Sequence, residues 1–135
     1  MVTDQSRTLL GSLGILSTEE LESRYHVRVE RYAKDMLIEL HTLASLVDTM
    51  VLPAAYTYHA NLAKGAADAK AAGISVIPQV GAANAVGKLI EELVARRAEL
   101  GATIERAEAK HDDPVACAKL LTSEGADAIA ATRTA

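Results

Sequence analysis

Residues 17–54, STEELESRYHVRVERYAKDMLIELHTLASLVDTMVLPA, decide the fold of this chain. Apolar side chains recur at Leu21, Tyr25, Val29, Tyr32, Met36, Leu40, Leu43, Val47 and Met50, in steps of three and four whose mean lies close to the α-helical period. The spacing predicts one long helix with a single stripe that must be buried. Ser17, with Glu20 three positions later, forms a capping box in which each side chain satisfies an orphaned backbone donor at the helix start. Glu20 with Arg24, and Glu30 with Lys34, place an acid four residues before a base, worth a few tenths of a kcal/mol per pair on the solvent side.

The pattern continues past Pro53 through Val51, Ala55, Tyr58, Leu62, Ala66 and Ala69 to Gly73. Proline removes one helical donor and collides with the carbonyl of Thr49, at about 3 kcal/mol in a helix interior. Because the stripe persists on both sides, the expectation is a kink and not a break, giving a helix on the order of 80 Å long. Upstream, residues 3–13 read as a short helix closed by Gly14. Downstream, residues 74–78 (ISVIP) read as a connector. From about Gln79, Ala83, Val86, Ile90, Leu93, Leu100, Ile104 and Ala107 give a heptad-like helix with Arg97 at its one polar seam position. Asp113 and Pro114 cap a last helix, which Gly125 should weaken. The fold class expected is all-α: an elongated antiparallel helical bundle with one long Pro-kinked helix, forming a single domain over residues 1–135.

Composition narrows the function classes. The chain has 135 residues, half of them hydrophobic, with no Phe or Trp and four Tyr. A core of Leu, Ile, Val, Met and Ala lets helices approach closely and offers few walls for a large ligand pocket. Fourteen basic and 18 acidic residues give a net charge of −4, which supplies no basic footprint for nucleic acid. The single Cys117 forms no internal disulfide, and no charged-then-apolar leader or 18-residue apolar run marks secretion or membrane spanning. These features point to the cytoplasm.

Three constellations carry possible chemistry, each with a plainer reading. Gly81 to Leu89 (GAANAVGKL) resembles a phosphate-binding loop, but five residues separate the glycines, Leu89 stands where a hydroxyl is needed, and the segment lies inside a helical pattern. Glu22, His26 and Glu30 recur every four residues and could share a metal, but His59 and His111 stand alone, and His41 with Asp48 is a weaker pair still. No Ser-His-Asp set or Cys-x-x-Cys pair supports nucleophilic or redox chemistry. Cys117 reads as a small buried hydrophobe. The residues therefore predict no catalytic, cofactor or metal site.

Ser23-Arg24-Tyr25, Glu30-Arg31-Tyr32 with Lys34, Ile38-Glu39 and Leu52-Pro53-Ala54 resemble the C-terminal region of type III glutamine synthetases, the long-chain class of ATP-dependent glutamate–ammonia ligases. The preceding residues 9–16 are similar to that family's short helix and turn. The resemblance is specific over about the first 55 residues and rests further on only on the order of elements. It implies that Arg24, Tyr25, Tyr32, Glu39 and Pro53 serve packing or an interface. It implies further that ATP, glutamate and magnesium or manganese bind an upstream catalytic domain, so that this chain alone is inactive. Its partners would be that domain and other subunits of a ring-shaped homo-oligomer. The resemblance also implies an acidic tail with Trp and Pro after the last helix, so the expectation is that the chain is a truncated C-terminal fragment. Two other readings compete: an independent helical adaptor with an exposed apolar groove, and a bundle holding a metal between two helices.

Overall fold

The computed structural model describes residues 3–135, and every regular element among them is helical. Helix α1 spans Asp4–Ser12, its start capped by the Thr3 side chain accepting from the Ser6 N–H. Gly14 ends the turn after it with φ of 64°, a left-handed conformation that glycine adopts without strain. Helix α2, Thr18–Leu46, starts at the expected capping box. Ser17 N–H donates to Glu20 Oε2 at 2.8 Å, and Glu20 N–H donates to Ser17 Oγ at 3.1 Å. With Glu20 so engaged, the expected Glu20–Arg24 pair does not form, whereas Lys34 Nζ meets Glu30 Oε1 at 2.6 Å.

Pro53 does not reverse the chain. A π-helical turn, Val47–Val51, joins α2 to α3, Leu52–Ala71, so that one helix of 54 residues runs from Thr18 to Ala71. The Leu52 N–H bonds to the Val47 carbonyl, five residues back. The wider turn absorbs one extra residue next to the proline, whose missing donor and bulky ring disturb the regular ladder there.

That extra residue corrects the expected stripe. After Val47, 3% exposed, the inward positions are Leu52, Ala55, His59, Leu62, Ala66 and Ala69, so that Ala55, Leu62, Ala66 and Ala69 keep their expected places while Leu52 and His59 replace Val51 and Tyr58. Met50, Val51 and Tyr58, read from the sequence as stripe residues, are 62%, 46% and 58% exposed. A five-residue step moves the buried face by one position at Leu52 and His59, which a regular period of three and four does not anticipate.

Gly73 (φ 76°) closes α3, with Ile74 N–H donating to the Ala69 carbonyl. Helix α4, Ile77–Glu108, begins two residues earlier than the sequence reading, because Pro78 sits in the first turn, where its lost N–H has no helical acceptor in any case. It runs antiparallel to the long helix: Arg97 pairs with Asp48, and Glu108 with His41, so partner numbers fall on one helix as they rise on the other.

Helix α5, Pro114–Leu120, a second π-helical turn, Leu121–Gly125, and α6, Ala126–Thr134, then lie against both α2 and α4. Asp113 caps this stretch by accepting from the Val115 and Ala116 N–H groups. Gly125 does not interrupt it. The residue is buried, and a methyl group there would lie 3.4 Å from Leu121 Cδ2 and 3.8 Å from Leu40 Cδ1, so glycine sits where α2 comes close.

The molecule thus has two ends. Where α2, the second half of α4 and α5–α6 meet, Leu40, Leu100 and Leu121 are fully buried among Ala33, Ala44, Ile104, Ala107 and Cys117. At the other end α3 and the first half of α4 form a two-helix hairpin, where Ala66 and Ile90 are buried and most other side chains face water. The 54-residue helix is long and apolar enough to cross a membrane by length and composition, a match that the search for an unbroken apolar run did not reveal. Only 17% of that apolar window is buried inside the molecule, while Leu40, Ala44, Val47 and Ala66 of the helix are buried against other helices.

Candidate functional site

The family-matched residues of α2 fall on two faces. At 100° per residue, Tyr25, Val29 and Tyr32 lie at the edge of the buried stripe, while Arg24, Val27, Arg31 and Ile38 lie on the opposite side. On the first face, Tyr25, Val29 and Tyr32 line a groove of about 380 Å³ with Val115, Ala118 and Thr122. Tyr32 Oη and Thr122 Oγ1 share a hydrogen bond of 3.2 Å, and the Tyr25 ring stands edge-on to His26 with centroids 6.1 Å apart. These two tyrosines tie α2 to the helices that return over it.

The second face is uncovered. Val27 and Ile38 are 61% and 63% exposed. Arg31 pairs with Asp35 at 3.6 Å, whereas Arg24 and Arg28 make no side-chain ion pair among the described residues. Glu39 and Pro53 are also exposed. The structure therefore does not gather Arg24, Tyr25, Tyr32, Glu39 and Pro53 into one pocket. It sets Tyr25 half-buried and Tyr32, 40% exposed, at the edge of the buried stripe, and leaves Arg24, Glu39 and Pro53 exposed away from it.

The other candidates are dispersed or occupied. Glu22 accepts from Arg7 at 2.9 Å, and the Lys34 ammonium holds the Glu30 carboxyl below the usual carboxylate range, so neither carboxylate is free to join His26 on a cation. Among the described residues no group of three His, Cys, Asp or Glu side chains is placed to hold a metal. Residues 81–89 lie inside α4, where the helical ladder consumes the N–H groups that a phosphate would need.

Besides Arg7–Glu22, two tertiary ion pairs and one histidine–carboxylate hydrogen bond escaped the sequence reading. Arg97 grips Asp48 through Nε at 2.9 Å and Nη2 at 2.7 Å, Arg106 Nη2 meets Glu124 Oε2 at 2.7 Å, and His41 Nε2 meets Glu108 Oε1 at 2.9 Å. The only forewarning was Arg97, a charged residue at a seam position, and nothing in a single sequence identifies its partner across 49 residues.

Comparison with known proteins bears on the first half of the chain. The family model described as the glutamine synthetase C-terminal domain matches residues 1–70, which comprise α1, α2 and nearly all of α3. The type-3 glutamine synthetase of Dictyostelium discoideum is 39% identical to the chain over 62 residues, a match covering 46% of this chain and 8% of that protein. No solved structure matches. With just over half of its length matched, this chain belongs to the glutamine synthetase C-terminal domain family.

Proposed function

We propose that this chain is the C-terminal helical part of a type III glutamine synthetase and that its work is structural, docking through the outer face of α2 onto the catalytic domain or onto a neighbouring subunit of a homo-oligomer. The parent reaction is the ATP-dependent ligation of ammonia to glutamate. ATP, magnesium or manganese, and both substrates belong in this reading to the remainder of the parent enzyme, and the chain alone performs no turnover.

The observation that carries the proposal is the uncovered face of the family-matched helix, where Val27 stands exposed beside Arg24 and Arg28 and Ile38 stands exposed about 15 Å further along the same side. Apolar side chains set among unpaired guanidinium groups suit a partner surface that is apolar at its centre and acidic at its rim. The stripe on the other side of α2 is already covered by α4 and α5–α6. Of the two faces of α2, that division leaves the outer one for docking.

The test is complementation. A parent enzyme lacking this segment should fail to assemble, as read by sedimentation, and should regain assembly and glutamine synthesis when the chain is added in trans. Ile38→Glu and Arg24→Glu should abolish the rescue without unfolding the chain. ADP release by the chain alone, or full rescue by both variants, would overturn the reading.

A further inference from the structure

We infer that the α3–α4 hairpin is a self-association surface, pairing antiparallel with the hairpin of a second copy about a two-fold axis beside Gly87. The inference concerns two copies of this chain and does not depend on the identity of the parent enzyme.

Surface area gives the first reason. A folded monomer of 14.3 kDa exposes about 6,800 Å² by the usual scaling with mass, whereas this chain exposes 9031 Å². A stable dimer needs about 800 Å² from each partner, well within that excess. The hairpin contributes to that excess, because two helices cover each other along one line only, and Tyr56, Tyr58, Ile74, Ile77, Val80, Leu89 and Val94 stand exposed on it.

One side of the hairpin is shaped to receive a helix. Tyr56, His59, Gly87, Ile90, Glu91 and Val94 line an open groove of about 360 Å³. Along α4, Val80, Gly87 and Val94 are seven residues apart, forming a second seam beside the one that faces α3. Val80 and Val94 are each 42% exposed and Tyr56 is 51% exposed. On α3 the face of Tyr56 continues through Ala60, Ala63 and Ala67, all exposed, small enough to let another backbone approach.

Charge and symmetry select a second copy as the occupant. Six charged residues lie between positions 52 and 94. Lys64, Asp68 and Lys70 leave a net positive charge toward the tip, and Lys88, Glu91 and Glu92 leave a net negative charge toward the root. Antiparallel pairing sets tip against root, so the charges attract. It also sets Val80 of one copy against Val94 of the other, since both lie seven residues from Gly87, where the His59 imidazole of each copy lies 3.4 Å from the position of a Cβ.

Sedimentation equilibrium of the 135-residue chain at micromolar concentration should give twice the monomer mass. Tyr56→Glu and Val94→Glu should each weaken the dimer at least tenfold, with helicity retained by circular dichroism, whereas Leu89→Glu, on the far side of α4, should leave it intact. Mixing Val80→Cys chains with Val94→Cys chains should give a disulfide-linked pair that neither variant forms alone, the buried Cys117 staying silent. A monomeric wild-type chain, a dimer indifferent to Tyr56→Glu, or cross-linking of each cysteine variant with itself in preference to the mixture would overturn the inference.

Discussion

Arg97 of α4 holds Asp48 of the first π-helical turn with two nearly parallel hydrogen bonds, Nε to Oδ1 at 2.9 Å and Nη2 to Oδ2 at 2.7 Å. The pair joins the hairpin to the three-helix end at the point where the long helix changes register. A planar guanidinium fits a carboxylate in this manner and an ammonium does not. Partial exposure of both partners limits the gain through solvent screening, so Arg97→Ala or Asp48→Ala should each lower stability by about 1 kcal/mol. A double-mutant cycle in urea should return most of that figure as coupling. Arg97→Lys should recover less than half of it, and full recovery by lysine would show that the two-pronged geometry is unimportant.

Pro53→Ala restores a backbone donor but should not erase the π-helical turn. Converting that turn to regular helix would rotate α3 by about 100° relative to α2, carrying Ala55, Leu62 and Ala66 off α4. Packing therefore opposes annealing, and the net change in stability should stay within about 1 kcal/mol. A structure of the variant with an unbroken α-helical ladder from Leu46 to Thr57 would contradict this.

The core is small, so its few large side chains carry much of the stability. Leu121→Ala removes a fully buried side chain that lies against Gly125 and the core leucines, at about 2–5 kcal/mol. Leu89→Ala, at a position 55% exposed, should change stability by less than about 0.5 kcal/mol. Urea midpoints of the two variants make the comparison, and similar shifts would mean that the three-helix end is not the stabilising core.

Burial pushes the Cys117 thiol above its ordinary pKa, and its Sγ donates to the Ala107 carbonyl at 3.5 Å. The neutral thiol is thus favoured in the folded chain. Its contribution to stability is fully present below the unfolded value, about 8.5, and is lost as pH rises through the raised folded value. Alkylation by iodoacetamide at pH 8 should be slow until urea unfolds the chain. The fall in urea midpoint between pH 7 and pH 10 should be smaller in Cys117→Ala. Rapid labelling of the native chain would contradict the buried placement.

The sequence by itself determined what depends on local chemistry. The capping box at Ser17 and Glu20, the turns at Gly14, Gly73 and Asp113, and the helical class each follow from residues within a few positions of one another. The core positions Leu40, Leu100 and Ile104 were legible for the same reason, since a helix repeats every 3.6 residues. The residues that resemble type III glutamine synthetases were legible too, over the segment that the family model matches.

Only the tertiary structure decided what depends on two distant segments meeting. The π-helical turn at Val47–Val51 shifts the buried face past Pro53 because α4 must be met on one side along its whole length, and that turned Met50 and Tyr58 outward against their periodicity. Gly125 reads as a weak point in sequence and becomes a contact point once α2 lies beside it. The partners of Arg97, Arg106 and His41 had no sequence signal, because ion pairing between helices depends on register, and register is fixed only when whole apolar faces settle against each other.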